Sequence, residues 1–248
     1  MKLVHCSYHK CLTVYYSRVL STLYNRIFRL SRGYRHFNSL IDEFYRESDN
    51  YKIASVNNHA IDLQKIGTEF RISRFIRDPR DLVVSGYFYH KRGAEPWTNI
   101  INPSERDWKV VNGCVPRNMR EGNSFSSYLQ GLNKEDGLIA EIDFRSKHLD
   151  SMMEWPMADP RIKIYKYEDL IGNEKDVFKD VLKFYGVTWL EKRFVSNLAE
   201  KFSAMKQKDK TLHIRNAKSS QWKEHFTPKV HNYFEQKYGE LLERYDYA

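Results

Sequence analysis

Short apolar segments alternate with helical ones along this chain, and that alternation limits its fold more than any other feature of the sequence. The apolar segments have the length of β-strands and cover residues 2–7, 52–56, 70–76 and 162–166. After the first segment, apolar residues recur at helical spacing from Leu12 to Leu30. Strands that alternate with helices form parallel sheets. We therefore predict an α/β fold with a central parallel sheet flanked by helices and a P-loop-like strand-loop-helix unit at the N-terminus.

Two later helices have clear signals at their ends. Proline suits the first turn of a helix, so Pro79 predicts a helix that runs to about His90. Asn173 and Gly186 delimit another helix, because Asn is a common N-cap and Gly commonly ends a helix. No repeat and no shift in composition marks a boundary, which predicts a single domain over residues 1–248.

The chain carries an excess of positive charge. Lys and Arg number 41 against 32 Asp and Glu, a formal net charge of +9. This excess predicts an anionic partner, and nucleic acid, an acidic membrane surface and a polyphosphate nucleotide all satisfy it. Part of the charge is concentrated between Lys201 and Lys223, where seven basic residues accompany one acid.

Membrane-spanning and secreted proteins fit this sequence poorly. No segment approaches the roughly 20 apolar residues of a membrane helix, and the N-terminus lacks a cleavable signal pattern. The three cysteines, Cys6, Cys11 and Cys114, form neither an even disulfide framework nor a paired metal-binding spacing. We therefore predict a cytoplasmic protein with no membrane partner and no bound metal.

The turn after the first strand combines a lysine and a hydroxyl at the start of a helix. Lys10 precedes Thr13 by three residues, and the N–H groups at a helix N-terminus favour an anion. Lysine supplies charge to a phosphate and threonine a hydrogen bond. The signal is weak by itself, because the glycines of the G-x-x-x-x-G-K-[ST] P-loop are missing. A solvated lysine and a helix-capping threonine explain the same residues.

A more specific motif lies between Arg77 and Ser85. Arg77 ends a strand and Ser85 lies two helical turns along the next helix, so both can reach one anion over the strand ends. The segment resembles the 3′-phosphate motif of sulfotransferases that use 3′-phosphoadenosine 5′-phosphosulfate (PAPS), Arg-x-Pro-Lys/Arg-Asp followed by Ser eight residues after the Arg. The matching residues are Arg77, Pro79, Arg80, Asp81 and Ser85.

The opening turn is similar to the 5′-phosphosulfate loop of the same family, Pro-Lys-Ser-Gly-Thr-Thr-Trp. Lys10 and Thr13 match the lysine and the first threonine, and Tyr15 stands at the tryptophan. Three departures matter: His9 replaces the proline, Leu12 the glycine and Val14 the second threonine. One hydroxyl contact to phosphate is thereby lost.

Three later segments resemble family motifs in the expected order. Residues 167–170 read Tyr-Glu-Asp-Leu, like the family's Tyr-Glu-Asp-Leu/Met, whose tyrosine lies near the adenine. Residues 202–206 resemble Phe-x-x-Met-Lys, whose phenylalanine stacks on that ring. Residues 215–223 resemble Arg-Lys-Gly-x-x-Gly-x-Trp-Lys, which folds over the nucleotide, with the Arg, Trp and final Lys kept. The resemblance therefore extends over most of the chain.

The resemblance implies a PAPS site made from these motifs. The residues that it assigns to donor binding are Lys10, Cys11, Leu12, Thr13, Val14, Tyr15, Arg77, Ser85, Tyr167, Phe202, Arg215, Asn216 and Ala217. Lys10 and Ser85 are also assigned to catalysis. Residues 91–122, which lack periodicity, are predicted to form an acceptor-site loop, and 205–221 a loop that covers the nucleotide.

The acceptor must lose a proton as it attacks sulfur, which calls for a general base. His59 follows the second predicted strand, so we expect it at the same sheet edge as Lys10 and Arg77. Many members of the family carry their base at this place. A surface or strand-capping histidine remains the alternative, and the fallback bases are His9, Asp62, Glu69 and His90.

The resemblance thus implies a sulfotransferase that moves a sulfuryl group from PAPS to a hydroxyl or amine of an acceptor and leaves adenosine 3′,5′-bisphosphate (PAP). A small molecule or a carbohydrate is the predicted acceptor, and Trp97, Trp108, Met152, Met153 and Trp155 either line its pocket or form core. We expect a monomer or weak dimer and no nucleic-acid partner. A basic nucleic-acid-binding protein and a nucleotide kinase are the alternative functions.

Overall fold

Five parallel strands form one sheet in the computed structural model. They are β1 Lys2–Ser7, β2 Tyr34–His36, β3 Ile53–Val56, β4 Phe70–Ile76 and β5 Ile162–Lys166, arranged in the order β2-β3-β1-β4-β5. The predicted α/β fold with a parallel sheet is confirmed. The sequence did not predict β2, because three residues that include an arginine and a histidine carry no apolar strand signal.

The chain divides into two compact units. Unit 1 comprises Met1–Ile76 and Pro156–Lys210, and unit 2 comprises Arg77–Trp155 and Thr211–Ala248. The structure describes residues 1–57, 61–109, 111–203, 206 and 219–248. The five strands named above belong to unit 1. The single domain over residues 1–248 stays a prediction.

The α-helices of the described residues are α1 Thr13–Ser21, α2 Ile41–Glu47, α3 Leu63–Ile66, α4 Pro79–Lys91, α5 Phe125–Gly131, α6 Lys134–Phe144, α7 Ser146–Glu154, α8 Tyr167–Leu170, α9 Glu174–Phe184, α10 Trp189–Phe202, α11 Trp222–His225 and α12 Pro228–Arg244. Short 3₁₀ turns cover Ser48–Asn50 and Pro96–Asn99. The helices predicted after Pro79 and Asn173 are therefore present. None of these helices combines the length and the apolar composition that crossing a bilayer requires.

The first helix changes its hydrogen-bonding pattern halfway along. α1 ends at Ser21, and a π-helical turn continues over Thr22–Ile27. The Phe28 N–H donates to the Leu23 carbonyl at 3.0 Å, five residues earlier, which is the spacing of a π-helix. Apolar periodicity predicted one helix as far as Leu30, because spacing of side chains does not distinguish the two patterns over a single turn.

The core of unit 1 forms around α1, α9 and α10 and contains a polar chain of side chains. The His5 ring stacks on Tyr16 with centroids 3.6 Å apart, and its Nδ1 lies 2.8 Å from Ser73 Oγ. Ser73 Oγ is 2.7 Å from the Tyr185 hydroxyl, which donates to the Val4 carbonyl. The buried hydroxyls of Ser73 and Tyr185 therefore both have partners, as burial of polar groups requires.

Unit 2 has an aromatic core around α4, α5 and α6. Trp97 and Trp108 lie 5.8 Å apart, and both contact the Phe144 ring at 5.4 Å. Trp97, Trp108, Met152 and Trp155 are buried, whereas Met153 is half-buried. Of the two alternatives for these residues, the described structure places the four buried ones in the core.

Gly86 allows α4 to approach α6 closely. A Cβ at Gly86 would lie 2.1 Å from Glu141 Oε1 and 2.3 Å from an Arg145 nitrogen. Those two side chains form a buried ion pair at 2.7 Å, and Glu141 also contacts His90 Nδ1 at 2.8 Å. A buried pair of this kind tolerates no intruding methyl group, so glycine is required here by space rather than by backbone angle.

Stability should depend on pH through His36. Burial lowers the pKa of His36 from 6.5 to about 4, although its hydrogen bond to Ser55 opposes the shift. Because the unfolded chain binds the proton more tightly, the stabilisation is complete above pH 6.5 and is lost as the pH falls toward 4. His36→Gln should therefore reduce the slope of the free energy of unfolding in this window by about 1.4 kcal/mol per pH unit.

Urea unfolding of wild type and His36→Gln at several pH values measures this slope. Above about pH 8 His36 is neutral in both states, so the two proteins should there differ by a constant amount, which serves as the internal control. Equal slopes below pH 6.5 would contradict the assignment of this proton uptake to His36.

Candidate functional site

The carboxyl ends of four strands meet at one edge of the sheet in unit 1. Ser7, at the end of β1, is paired with Phe75 of β4, and Cys6 is paired with Val56 at the end of β3. Ile76 of β4 is paired in turn with Lys166 of β5. Two predicted PAPS-binding segments of unit 1 follow these strand ends: residues 10–15 come after β1, and Tyr167 comes after β5. Ligands bind at this edge in open parallel sheets.

The loop between β1 and α1 contains two left-handed residues that are not glycine. Lys10 has φ of 71° and Leu12 has φ of 60°. Leu12 stands where the resembling family has glycine, and it forms the N-cap of α1 without a capping side-chain hydrogen bond. The backbone thus adopts at Leu12 the conformation that glycine favours, with the strain that a side chain adds there.

The start of α1 presents backbone amides and a hydroxyl. The Tyr16 N–H makes the first helical bond, to the Leu12 carbonyl at 2.9 Å, so the amides of residues 13–15 precede the helical ladder. Thr13 Oγ1 lies 2.7 Å from Ser7 Oγ and donates to the Tyr8 carbonyl at 3.3 Å. An anion that accepts a hydrogen bond from Thr13 Oγ1 must therefore displace the Tyr8 carbonyl.

A buried arginine packs under this loop and was not singled out from the sequence. Arg74 of β4 is 1% exposed, and its guanidinium lies 4.1 Å from the centre of the Tyr8 ring. It adds positive charge near Cys6, whose thiol pKa burial nevertheless raises to about 12. An arginine within an otherwise buried strand is the sequence signal that identifies such a residue.

The aromatic residues assigned to the nucleotide are partly held by the protein itself. Tyr15 donates its hydroxyl to the Ala199 carbonyl at 2.6 Å and packs edge-on against Phe178. The Phe202 ring lies 4.4 Å from the Arg18 guanidinium. Tyr167 is the buried first residue of α8. Tyr15 therefore connects α1 to α10, whatever else it contacts.

In unit 2, one buried carboxylate joins two motifs that are far apart in sequence. Asp81 Oδ2 lies 3.6 Å from an Arg77 nitrogen, and Asp81 Oδ1 accepts the Trp222 N–H at 2.9 Å. Burial raises the pKa of Asp81, and the charge of Arg77 and the Trp222 N–H oppose that rise. The 3′-phosphate-like motif and the end of the 215–223 segment therefore share one anchor.

The two arginines of the 77–85 motif have different partners. Arg80 forms a bidentate pair with Asp78, at 3.0 and 2.9 Å, and stacks on the Trp222 ring at 3.8 Å. Arg77, directly after β4, is 4% exposed. Ser85 is half-buried on α4. Arg80 thus has a structural role, and this arrangement favours Arg77 for an anion.

Several assigned residues lie outside the described part of the chain. They are His59, Arg215, Asn216 and Ala217. Among the fallback bases, Asp62 caps α3 through the Gln64 N–H at 2.9 Å, and Glu69 is exposed and pairs with the N-terminal amine. His9 is half-buried. His90 is fully buried beside Glu141, and burial lowers its pKa.

Comparisons with known proteins agree with the fold and with the predicted family. A family model described as "Sulfotransferase domain" matches residues 63–246, a range that excludes the loop after β1. Mouse sulfotransferase SULT7A1, solved in complex with PAP, has 16% identity and a TM-score of 0.53, with 97% of this chain and 84% of that chain covered. Retinol dehydratase, solved with androsterone and the inactive cofactor PAP, has 14% identity and a TM-score of 0.54, with 97% and 80% covered. No curated protein matches this sequence. The resemblance predicted from the motifs is confirmed.

The strain at Leu12 predicts an unusual order of stabilities. Leu12→Gly should be more stable than Leu12→Ala by about 1 kcal/mol, because both variants lose the same packing while glycine alone relieves the left-handed backbone. Urea unfolding measures the difference. The exposed Val14, in the first turn of α1, gives the matched control, where alanine should be more stable than glycine by roughly 0.5–1 kcal/mol. The same order at both positions would contradict the strain.

The anchor at Asp81 should act mainly through its hydrogen bond. Asp81→Asn keeps an oxygen that accepts the Trp222 N–H, whereas Asp81→Ala leaves that half-buried donor without its Asp81 partner. We expect Asp81→Ala to lower the free energy of unfolding by about 1–3 kcal/mol more than Asp81→Asn does. Denaturant unfolding of both variants tests this. Equal losses would assign the stabilisation to the charge opposite Arg77 instead.

Proposed function

Since the chain belongs to the sulfotransferase family, we propose that it transfers a sulfuryl group from PAPS to a hydroxyl or amine of an acceptor. The observation that carries the proposal is the shared anchor of two nucleotide motifs, in which Asp81 holds both Arg77 and the Trp222 backbone. The Asp81 carboxylate places a negative charge 3.6 Å from the Arg77 guanidinium, and its hydrogen bond to the Trp222 N–H joins the end of the 215–223 segment to the same motif.

The 5′-phosphosulfate of PAPS binds at the loop after β1. Lys10 supplies a charge, and the amides that precede the helical ladder supply donors at the positive end of the α1 dipole. The left-handed backbone at Leu12 supports this role, because it preserves the loop conformation without the family glycine. Thr13 contributes its hydroxyl by exchanging the Tyr8 carbonyl for a phosphate oxygen.

The 3′-phosphate of PAPS binds to Arg77 and Ser85, and Arg215 donates a further hydrogen bond to it. The engagement of Arg80 by Asp78 and Trp222 supports Arg77 as the phosphate ligand. The adenine lies near Tyr167 and Phe202, and residues 205–221, with Asn216 and Ala217, cover the nucleotide. The Tyr15 hydroxyl is bound to the Ala199 carbonyl, and the side chain limits the space for the adenine ring.

The acceptor oxygen or nitrogen attacks sulfur in line with the bridging phosphate oxygen. A bond forms between the acceptor atom and sulfur, the bond from sulfur to that oxygen breaks, and PAP leaves. His59 takes the acceptor proton, and Lys10 and Ser85 stabilise the charge on the leaving group. Catalysis then rests on positioning and on electrostatic stabilisation, with no metal required.

A small molecule or a carbohydrate is the proposed acceptor. The complexes of retinol dehydratase with retinol and with androsterone support a small molecule, since that protein shares the fold. Residues 91–122 contribute the acceptor-site loop, although Trp97 and Trp108 are buried in the core of unit 2. One sulfotransferase domain over residues 1–248, in the cytoplasm and as a monomer or weak dimer, completes the proposal.

Calorimetric titration with PAP, without added magnesium, tests the donor site. We expect binding in the micromolar range for the wild type and at least about thirtyfold weaker binding for Arg77→Ala, because a phosphate then loses a buried charged partner. Arg46→Ala is the matched control, since Arg46 is an exposed arginine of α2 outside every assigned segment, and it should bind PAP like the wild type.

The two alternative functions give different results in the same experiment. Binding of ATP that requires magnesium, with no binding of PAP, would support a nucleotide kinase. Salt-sensitive binding of DNA, again with no binding of PAP, would support a nucleic-acid-binding protein. Either result would contradict the proposed transfer from PAPS.

A further inference from the structure

Unit 1 exposes five large apolar side chains on two neighbouring segments. They are Ile27, Leu30, Trp189, Leu190 and Phe194, with exposures of 40, 39, 65, 46 and 37%. The π-helical turn and the residues after it provide the first two, and the first turns of α10 provide the others. Contact between the rings of Phe28 and Phe194, with centroids 5.8 Å apart, joins the two segments. We call these five residues the apolar patch.

Basic residues surround the apolar patch. Arg26, Arg29 and Arg32 are exposed beside Ile27 and Leu30. No acid occurs between residues 25 and 35. Among the described residues, none forms an ion pair with these three arginines.

The second segment adds basic residues of its own. Arg193 is exposed and lies 5.4 Å from the Trp189 ring, and Lys192 is half-buried next to it. The acid of this segment, Glu191, is buried, and it pairs with Lys52 and caps α10 with Thr188. The exposed charged side chains of residues 25–32 and 189–194 are therefore all positive.

We propose that the apolar patch and its arginines bind the surface of an anionic lipid bilayer. A tryptophan with neighbouring aliphatic side chains is suited to the boundary between lipid headgroups and acyl chains. There the apolar part of the ring contacts the acyl chains and the indole N–H stays near polar groups. Arginines beside it attract acidic lipid headgroups. The chain then lies on the membrane without crossing it, which differs from the expectation from sequence that it has no membrane partner.

Charge also argues against a second copy of the chain as the occupant. In a symmetric dimer through the apolar patch, the same surface of each copy meets the other. The arginines at positions 26, 29 and 32 would then face like charges across the contact, which opposes association. An anionic bilayer instead satisfies the apolar and the charged parts of the surface together.

Sedimentation with lipid vesicles tests the proposal on the full chain. The wild type should bind vesicles of phosphatidylcholine with phosphatidylserine more strongly than phosphatidylcholine vesicles, and added sodium chloride should weaken this binding. Trp189→Ser/Leu190→Ser should abolish most of it. Ile101→Ser/Met157→Ser is the matched control, since both residues are exposed apolar side chains outside the patch, at 64 and 40%.

A charge variant separates the two contributions. Arg26→Gln/Arg32→Gln should weaken binding to phosphatidylserine vesicles roughly fivefold for each arginine removed. Arg106→Gln/Arg117→Gln, which removes two exposed arginines of unit 2, should bind like the wild type. Circular dichroism and thermal melting verify that each variant is folded, and all four positions are exposed.

Three results would overturn the proposal. The first is no binding to either vesicle. The second is equal binding by the wild type and by the Trp189→Ser/Leu190→Ser variant. The third is a dimer of the wild type in sedimentation velocity that this variant dissociates, which would assign the apolar patch to a second copy of the chain.

Discussion

The rest of unit 1 depends on the pairing of β1 between β3 and β4. Parallel backbone hydrogen bonds on both sides fix the register of β1, so that Cys6 lies opposite Val56 and Ser7 opposite Phe75. A shift by one residue would exchange the two faces of the strand and move the loop that follows it. The position of Lys10 and Leu12 is therefore set by the sheet. The loop itself contributes strain, and the pairing of the strand compensates for it.

Much of the fold was predictable from sequence, because apolar strands and helix ends give local signals. Strands β1, β4 and β5 match the predicted residues, and α4 begins at the predicted Pro79. β2 and the π-helical turn were missed, since three polar-rich residues and a single widened turn carry little periodicity. His5 also belongs to a predicted buried strand, and its stacking on Tyr16 is visible only after the chain has folded.

The candidate site was predictable as a set of motifs but not as a network. Arg77, Ser85 and Lys10 were identified by residue type and spacing, which sequence displays directly. The bond between Asp81 and Trp222 joins residues that are 141 positions apart, and no local rule connects them. The burial of Arg74 under Tyr8 likewise depends on tertiary structure, which a local sequence pattern does not reveal. The resemblance assigned Arg77 but not Arg80 to the phosphate, and the pairing of Arg80 with Asp78 is a physical reason for that difference that the sequence did not supply.

The π-helical turn sets the direction in which the side chains at the end of the first helix point. A turn with bonds five residues apart contains one residue more than an α-helical turn, so every later side chain is displaced around the axis. If a single residue between Thr22 and Ile27 were deleted and a regular α-helix formed, Leu30 would keep nearly the same direction, because the π-helical turn fits the extra residue into one turn. If the same residues formed a regular α-helix without a deletion, Leu30 would instead turn by about 100° around the axis. The hydrogen-bonding pattern of this segment, as much as its composition, therefore decides which side chains unit 1 exposes beside α10.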